Sequence, residues 1–123
     1  HYKKVFLGKM SDGDYVTIEE FIDGVFVKYI NKNGVIRTED DVLWEKAQCF
    51  AHFTYEKSHG KLMVIDVQSA ELNLYDHEIF SAGLTDGDGS LRFCNGNLAE
   101  GAIKNFFAKH KCYCRILQLK SVL

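Results

Sequence analysis

The stretch Leu62-Met63-Val64-Ile65-Asp66-Val67-Gln68 constrains the fold more than any other, because five of its seven residues are apolar and the other two are an acid and an amide. A short apolar run that follows a Ser-His-Gly stop reads as a buried strand, expected over Lys61 to Gln68. An unpaired carboxylate in a core costs several kcal/mol, on the order of other unsatisfied charged groups, so Asp66 needs something bound against it. On a strand, residues 66 and 68 share one face, and Asp76, just past its end, can swing onto that face. Two carboxylates and an amide oxygen are the hard-oxygen donors that magnesium takes. The plainer alternative is that Asp66 and Gln68 cap neighbouring loops through hydrogen bonds. Under the metal reading the two acids repel one another in the empty protein, and removing one is neutral or favourable for stability.

The rest of the chain has the material of one folded unit, residues 1–123. Its 46% hydrophobic content is enough for a real core, and no internal repeat or proline-marked linker divides it. A formal net charge of −2 gives no broad attraction to nucleic acid or to an anionic membrane. No apolar run approaches the roughly 20 residues that span a bilayer, and no secretory signal follows His1. The expected setting is intracellular, cytoplasmic and reducing. Since the first residue is not methionine, the chain is expected to be a fragment of something longer.

Strands are expected at Val5-Phe6-Leu7 and from Tyr15 to Phe21, joined by the turn-forming Ser11-Asp12-Gly13-Asp14, with a third extended piece from Gly24 to Ile30. Thr38-Glu39-Asp40-Asp41 has capping-box spacing, and apolar residues at helical intervals follow until Ser58-His59-Gly60. A second helix is expected from Asn97 to about His110, with Leu98, Ala102, Ile103, Phe106 and Phe107 on its apolar face.

His52, His110, Cys112 and Cys114 form a second constellation. Zinc takes four nitrogen or sulfur ligands, and a structural site closes all four with protein groups. One H-x-C-x-C stretch cannot comfortably supply every corner, which makes His52 on the earlier helix a reasonable remote ligand. The alternative is a core-edge histidine with buried thiols. His59 and His77 lie in turn-like sequence and are expected to be solvated. Glu19 and Lys28 read by themselves as solvated strand residues. The small-residue segment Cys94 to Gly101 can open a helix toward an anion or a peptide main chain, or can be a plain loop.

In order and spacing, TIEEFIDGVFVKY, FAHFTYEKSHGKLMVIDVQ, LYDHEI and GNLAEGAIKNFFAKHKC together resemble the atypical alpha-kinase family of protein kinases over about Thr17 to Leu119. The resemblance implies an α+β, two-lobed, protein-kinase-like fold stabilised by zinc. This chain would supply mainly the C-terminal lobe and the end of the N-terminal lobe, most of which it lacks. The implied activity is transfer of the γ-phosphate of ATP to serine or threonine of a protein substrate, and the rival is a zinc-stabilised pseudokinase or interaction module. By the same resemblance Asp66 is the catalytic aspartate, Gln68 and Asp76 hold magnesium, and Glu19 meets the adenine. Lys28 lies beside the phosphates, and His52, His110, Cys112 and Cys114 hold zinc. Gly96, Asn97 and Gly101 belong to a glycine-rich loop for the peptide substrate. The chain departs from the family at Ser69 and Ala99, where the family has glycine, and at His77, where it has proline. Cys112 and Cys114 are separated by one residue rather than three: either two residues are missing from the chain, which the continuous match through Arg115-Ile116-Leu117 favours, or the fourth ligand is not fixed by the pattern.

Overall fold

The computed structural model describes residues 4–37, 42–93 and 96–111. Nine elements follow one another: β1 (Val5–Lys9), β2 (Tyr15–Glu19), β3 (Phe26–Lys28), α1 (Val42–Lys57), β4 (Leu62–Ile65), β5 (Gln68–Ala70), β6 (Asn73–Leu74), β7 (Glu78–Ser81) and α2 (Ala99–Lys109). The described strands form three small antiparallel sheets, β1-β2, β3-β5-β6 and β4-β7, so helices and antiparallel strands mix as the α+β expectation requires.

The β1-β2 hairpin closes where the Gly13 amide donates to the Met10 carbonyl at 3.0 Å and the Met10 amide to the Asp14 carbonyl at 2.8 Å, with Gly13 at a φ of 99°. It carries Phe6, Leu7, Tyr15 and Ile18 exposed, together with Val5. The core lies elsewhere. Trp44, Ala47 and Ala51 of α1 pack on Met63, Ile65, Val67 and Phe80, and the Tyr29 ring meets Trp44 edge-on at 4.8 Å. The capping box that should start α1 lies outside the described residues.

At its far end α1 stops as its sequence suggests. His59 and Gly60 enter the left-handed region, and the Gly60 N–H donates to the Tyr55 carbonyl at 2.9 Å. Two hydroxyls of this last stretch then seal the free edge of β4. Ser58 Oγ accepts from the Leu62 amide at 2.8 Å and bonds the Leu62 carbonyl, and Thr54 Oγ1 accepts from the Val64 amide at 3.0 Å. An edge that would otherwise invite another strand is thus held to a helix, which fixes the line along which the chain runs toward Asp66.

The expected continuous strand over Lys61 to Gln68 is in fact two strands in different sheets. β4 ends at Ile65 and pairs with β7, while β5 begins at Gln68 and pairs with β3 and β6. Between them Asp66 adopts a φ of 60°. Aspartate is among the few side chains that tolerate this left-handed conformation, so the acid in the apolar run is also the residue that breaks it.

The α2 helix buries Ala102, Ile103 and Phe106 and presses on the turn after β3. There Gly34 has a φ of 81°, and a Cβ on it would overlap the carbonyl oxygen of Ala102 and lie 2.7 Å from the carbonyl carbon. Both obstacles are backbone, which cannot step aside cheaply. Gly34→Ala should therefore cost about 2 kcal/mol or more through strain and lost helix docking, whereas Gly87→Ala should change little. Thermal unfolding of the two variants checks this, and equal melting temperatures would refute the close approach.

Candidate active site

Lys28 ends β3 and, across the β3-β5 ladder, stands opposite Gln68. Its Nζ lies 2.5 Å from Asp66 Oδ1 and donates to Gln68 Oε1, also at 2.5 Å. The other end of the Gln68 side chain, Nε2, donates to the Asp76 carbonyl at 3.1 Å and approaches Asp76 Oδ2 at 3.4 Å. Four of the residues singled out from the sequence are therefore gathered in one connected group. They do not meet as two positions on one strand face. They meet because the strand breaks at Asp66 and the next strand pairs with β3.

This arrangement answers what satisfies Asp66 in the protein by itself. Asp66 and Lys28 are mostly buried, with 13% and 17% of their side chains exposed, and each is the other's counter-ion. The expectation that removing an acid here is neutral for stability is thereby corrected, because taking Asp66 away leaves a largely buried ammonium without its carboxylate. Lys28, in turn, is not a solvated strand residue. Two oxygens, one anionic and one an amide, converge on a single cationic nitrogen, so the donor set is one that suits a hard cation.

The Asp66 and Lys28 side chains open onto a cleft of about 620 Å³ also lined by Asn31, Lys32, Asn33 and Leu98. Leu98 stands just before α2, so the glycine-containing segment borders the same cleft. Asn97 does not offer its side chain to it. That side chain is 4% exposed: Nδ2 donates to Ser81 Oγ at 2.7 Å and to the Arg92 carbonyl at 3.1 Å, while Oδ1 accepts from the amides of Ser81 and Ala99. It brackets the loop from inside, and the helix starts two residues later than expected, at Ala99. Ala99 has a φ of 49°, a conformation that favours glycine, which gives a physical reason for a glycine at this place in the family pattern. Gly101 is exposed on α2 with open space around it.

Glu19 is exposed at the end of β2, opposite Val5, and takes no part in the Lys28 contacts among the described residues. His59 is exposed as expected. His77 is half-buried rather than solvated, and burial, opposed by the neighbouring Asp76 charge, holds its pKa below the usual histidine value.

His52 and His110, 58 positions apart, do meet. Nε2 of His110 is 3.0 Å from Nδ1 of His52. The remaining ring nitrogens face oxygens: His110 Nδ1 lies 3.3 Å from Gln48 Oε1 and His52 Nε2 lies 3.4 Å from Glu56 Oε1. The His110 ring also stacks on Phe106 at 4.7 Å. Burial, aided by the adjacent His52, lowers the pKa of His110 to about 4, so the ring stays neutral. Cys112 and Cys114 lie outside the described residues, and among the described residues no group of three or more histidine, cysteine or acidic side chains is placed to hold a metal. Nor, among them, is any helix long and apolar enough to cross a membrane.

What the sequence did not announce is Lys32, whose Nζ donates to Glu78 Oε1 at 3.0 Å beside the cleft. Glu78 and β7 itself were not read from the sequence, because a four-residue strand leaves too short a pattern to recognise.

The model of the alpha-kinase family matches residues 2–115 of this chain. Human transient receptor potential cation channel subfamily M member 6 is 40% identical over 111 residues, covering 89% of this chain and 5% of that protein. Alpha-protein kinase vwkA and myosin heavy chain kinase B of Dictyostelium discoideum are 38% and 31% identical, covering 85% and 95% of this chain and 16% and 15% of their own lengths. Among solved structures, an inactive aspartate-to-alanine variant of the myosin heavy chain kinase A alpha-kinase domain, in complex with ATP, superposes with a TM-score of 0.77 at 26% identity, covering 99% of this chain and 48% of that one. A second inactive variant of the same domain, also with ATP, has its substituted aspartate ten positions earlier and superposes with a TM-score of 0.71 at 27% identity, covering 97% of this chain and 47% of that one. The chain thus spans about half the length of the solved kinase domains that it matches.

The Lys28–Asp66 pair yields a direct test. Asp66→Ala and Lys28→Met should each destabilise the chain by about 2–3 kcal/mol, less than a fully dry pair would cost, and the double substitution should cost clearly less than their sum. Urea unfolding of the three variants measures the coupling, and strict additivity would refute the pair.

Proposed function

Because the chain belongs to the alpha-kinase family, we propose that it is the C-terminal part of a serine/threonine protein kinase catalytic domain, transferring the γ-phosphate of ATP to a hydroxyl of a protein substrate. The observation that carries the reading is the Lys28, Asp66, Gln68 and Asp76 group beside an open cleft. A further support is spacing. Asp66 and Asp76 stand ten positions apart, as do the two aspartates whose separate replacement gives the inactive, ATP-bound variants of myosin heavy chain kinase A.

Phosphoryl transfer asks a protein for positioning and for compensation of charge, with little covalent chemistry. Asp66, at the head of the cleft, is suited to orient the acceptor hydroxyl and receive its proton. Lys28 carries the positive charge that a phosphate at this place requires, and its contact with Asp66 holds both side chains ready. The oxygens available to magnesium are Gln68 Oε1, which accepts from Lys28, and the exposed Asp76 carboxylate, which Gln68 Nε2 approaches; the ion would be held through these two and would neutralise charge on the nucleotide. Glu19, at the end of β2, is assigned to the adenine, and the Gly96 to Gly101 segment at the cleft border to the peptide. The remaining nucleotide contacts would come from the half of the kinase domain that this chain does not span.

Zinc is assigned to His52 and His110 with Cys112 and Cys114, in a structural role. The two described donors, His52 and His110, fit that metal. Two imidazoles present nitrogens 3.0 Å apart, near the roughly 3.3 Å that tetrahedral bonds of about 2.0 Å impose. Their outer nitrogens lean on Gln48 and Glu56, as metal-bound histidines lean on oxygen partners. The ion would tie the middle of α1 to the chain leaving α2.

Two measurements test these assignments. In the full-length protein, phosphate incorporation into a basic protein substrate under magnesium-ATP should fall by roughly 10²–10³ for Asp66→Asn or Asp76→Ala. A wild type without transfer would instead favour the pseudokinase or interaction-module reading. For zinc, elemental analysis should find about one ion per chain. In chelated protein the sign of the pH effect is fixed by His110, whose proton affinity is lower folded than unfolded. Its contribution is present above pH 6.5 and is lost as the pH falls toward about 4, so melting temperature should drop over that window and His110→Asn should flatten the drop.

A further inference from the structure

The turn after β3 grips α2 in two places and β7 in a third. Gly34 takes the Ala102 carbonyl against its bare Cα, and Asn105 Nδ2 donates to the Asn33 carbonyl at 2.9 Å. The third grip is the ion pair of Lys32 with Glu78. Glu78 opens β7 directly opposite Ile65, the residue before Asp66, so the pair stands next to the candidate catalytic side chain. One oxygen of Glu78 meets Lys32, and the other, Oε2, is buried without a hydrogen-bond partner among the described residues. Neutralisation of this carboxylate therefore depends on Lys32.

Gly96 is laid against that pair. A Cβ on Gly96 would overlap the Lys32 ammonium and lie 2.9 Å from Glu78 Oε1. The loop thus reaches the ion pair with backbone alone, at the border of the cleft that Lys28, Lys32, Asp66 and Leu98 share.

We propose that Lys32 and Glu78 are positioning residues for the protein substrate: their ion pair latches the Gly96 segment at the rim of the Asp66 cleft, so that breaking it weakens peptide binding and leaves nucleotide binding intact. The proposal rests on the kinase reading and on the assignment of Gly96 to Gly101 to the peptide. Lys32 acts through the loop, whereas Lys28, deeper in the cleft, acts on phosphate.

Two readouts separate the latch from the kinase reading. In hydrogen exchange on this chain, Lys32→Glu, which sets two carboxylates against one another, should speed the amides of residues 98–101 roughly fivefold while those of α1 keep their rates, and the swap Lys32→Glu with Glu78→Lys should restore them. Unchanged exchange in Lys32→Glu would overturn the latch. Lys32→Met serves if Lys32→Glu fails to fold, and is read in the same way. In the full-length protein with magnesium-ATP, Lys32→Glu should raise KM for a peptide substrate about fivefold, with KM for ATP within roughly twofold of wild type. A rise in KM for ATP alone would overturn the proposal and make Lys32 a nucleotide contact. A wild type that transfers no phosphate would overturn the kinase reading and with it the substrate role, while the exchange rates separately uphold or overturn the latch.

Discussion

The break in the strand at Asp66-Val67 is the constraint on which the other features depend. One carbonyl, that of Val67, accepts the amides of both Tyr29 and Ile30, at 2.9 and 3.2 Å, immediately after the chain has left the β4-β7 sheet and before it enters the β3-β5-β6 sheet. The same two residues thus join two sheets and aim a carboxylate. Had the strand run straight, its alternation would have carried Asp66 and Gln68 to one face within a single sheet, and Lys28 would have had no reason to meet both. Left-handed backbone at a non-glycine residue is a local cost that persists where the surroundings over-determine it. Here the surroundings are the Val67 hydrogen bonds on one side and the Lys28 ion pair on the other.

Charge within the site is balanced in a specific order. Lys28 neutralises Asp66 and, through Gln68, is linked to Asp76, whose own side chain stays exposed. A mostly buried pair of this kind contributes little net stability, but it is expensive to leave half-made, so it fixes geometry more than it adds free energy. The Lys32–Glu78 pair is wetter, and its worth lies in what it touches: the backbone of Gly96 at the opening of α2. One ion pair stands deep in the cleft and the other at its border.

Much of this was legible in the residues. Both helices announced themselves by periodic apolar positions, and the α1 stop at Ser58-His59-Gly60 is where the chain turns. The first hairpin followed from its Asp-Gly turn. The break at Asp66 was not read, because five apolar neighbours outweighed the one sign of it, an aspartate able to adopt positive φ. The partner of Lys28 was hidden for a different reason: Asp66 lies 38 positions away, and no local pattern reports a contact closed by strand pairing. Asn97 was read as part of a peptide loop, but its amide is spent on Ser81, Arg92 and Ala99, a role that depends on where β7 lies and so on a strand too short to see. The histidine pair was placed by motif and is joined by the packing of α2 on α1.

Asp76 shows how such a site would fare under selection for endurance alone. It is exposed, it carries a φ of 47°, and its side chain reaches only Gln68 among the contacts described for it, at 3.4 Å. Glycine at that position would relieve strain of about 1 kcal/mol and forfeit almost no packing. A search for heat-resistant variants of this chain, blind to chemistry, would drift toward discarding the aspartate. Under the proposed kinase reading, its presence where the backbone would be better served by glycine is accounted for by the metal that its carboxylate would hold, not by the fold.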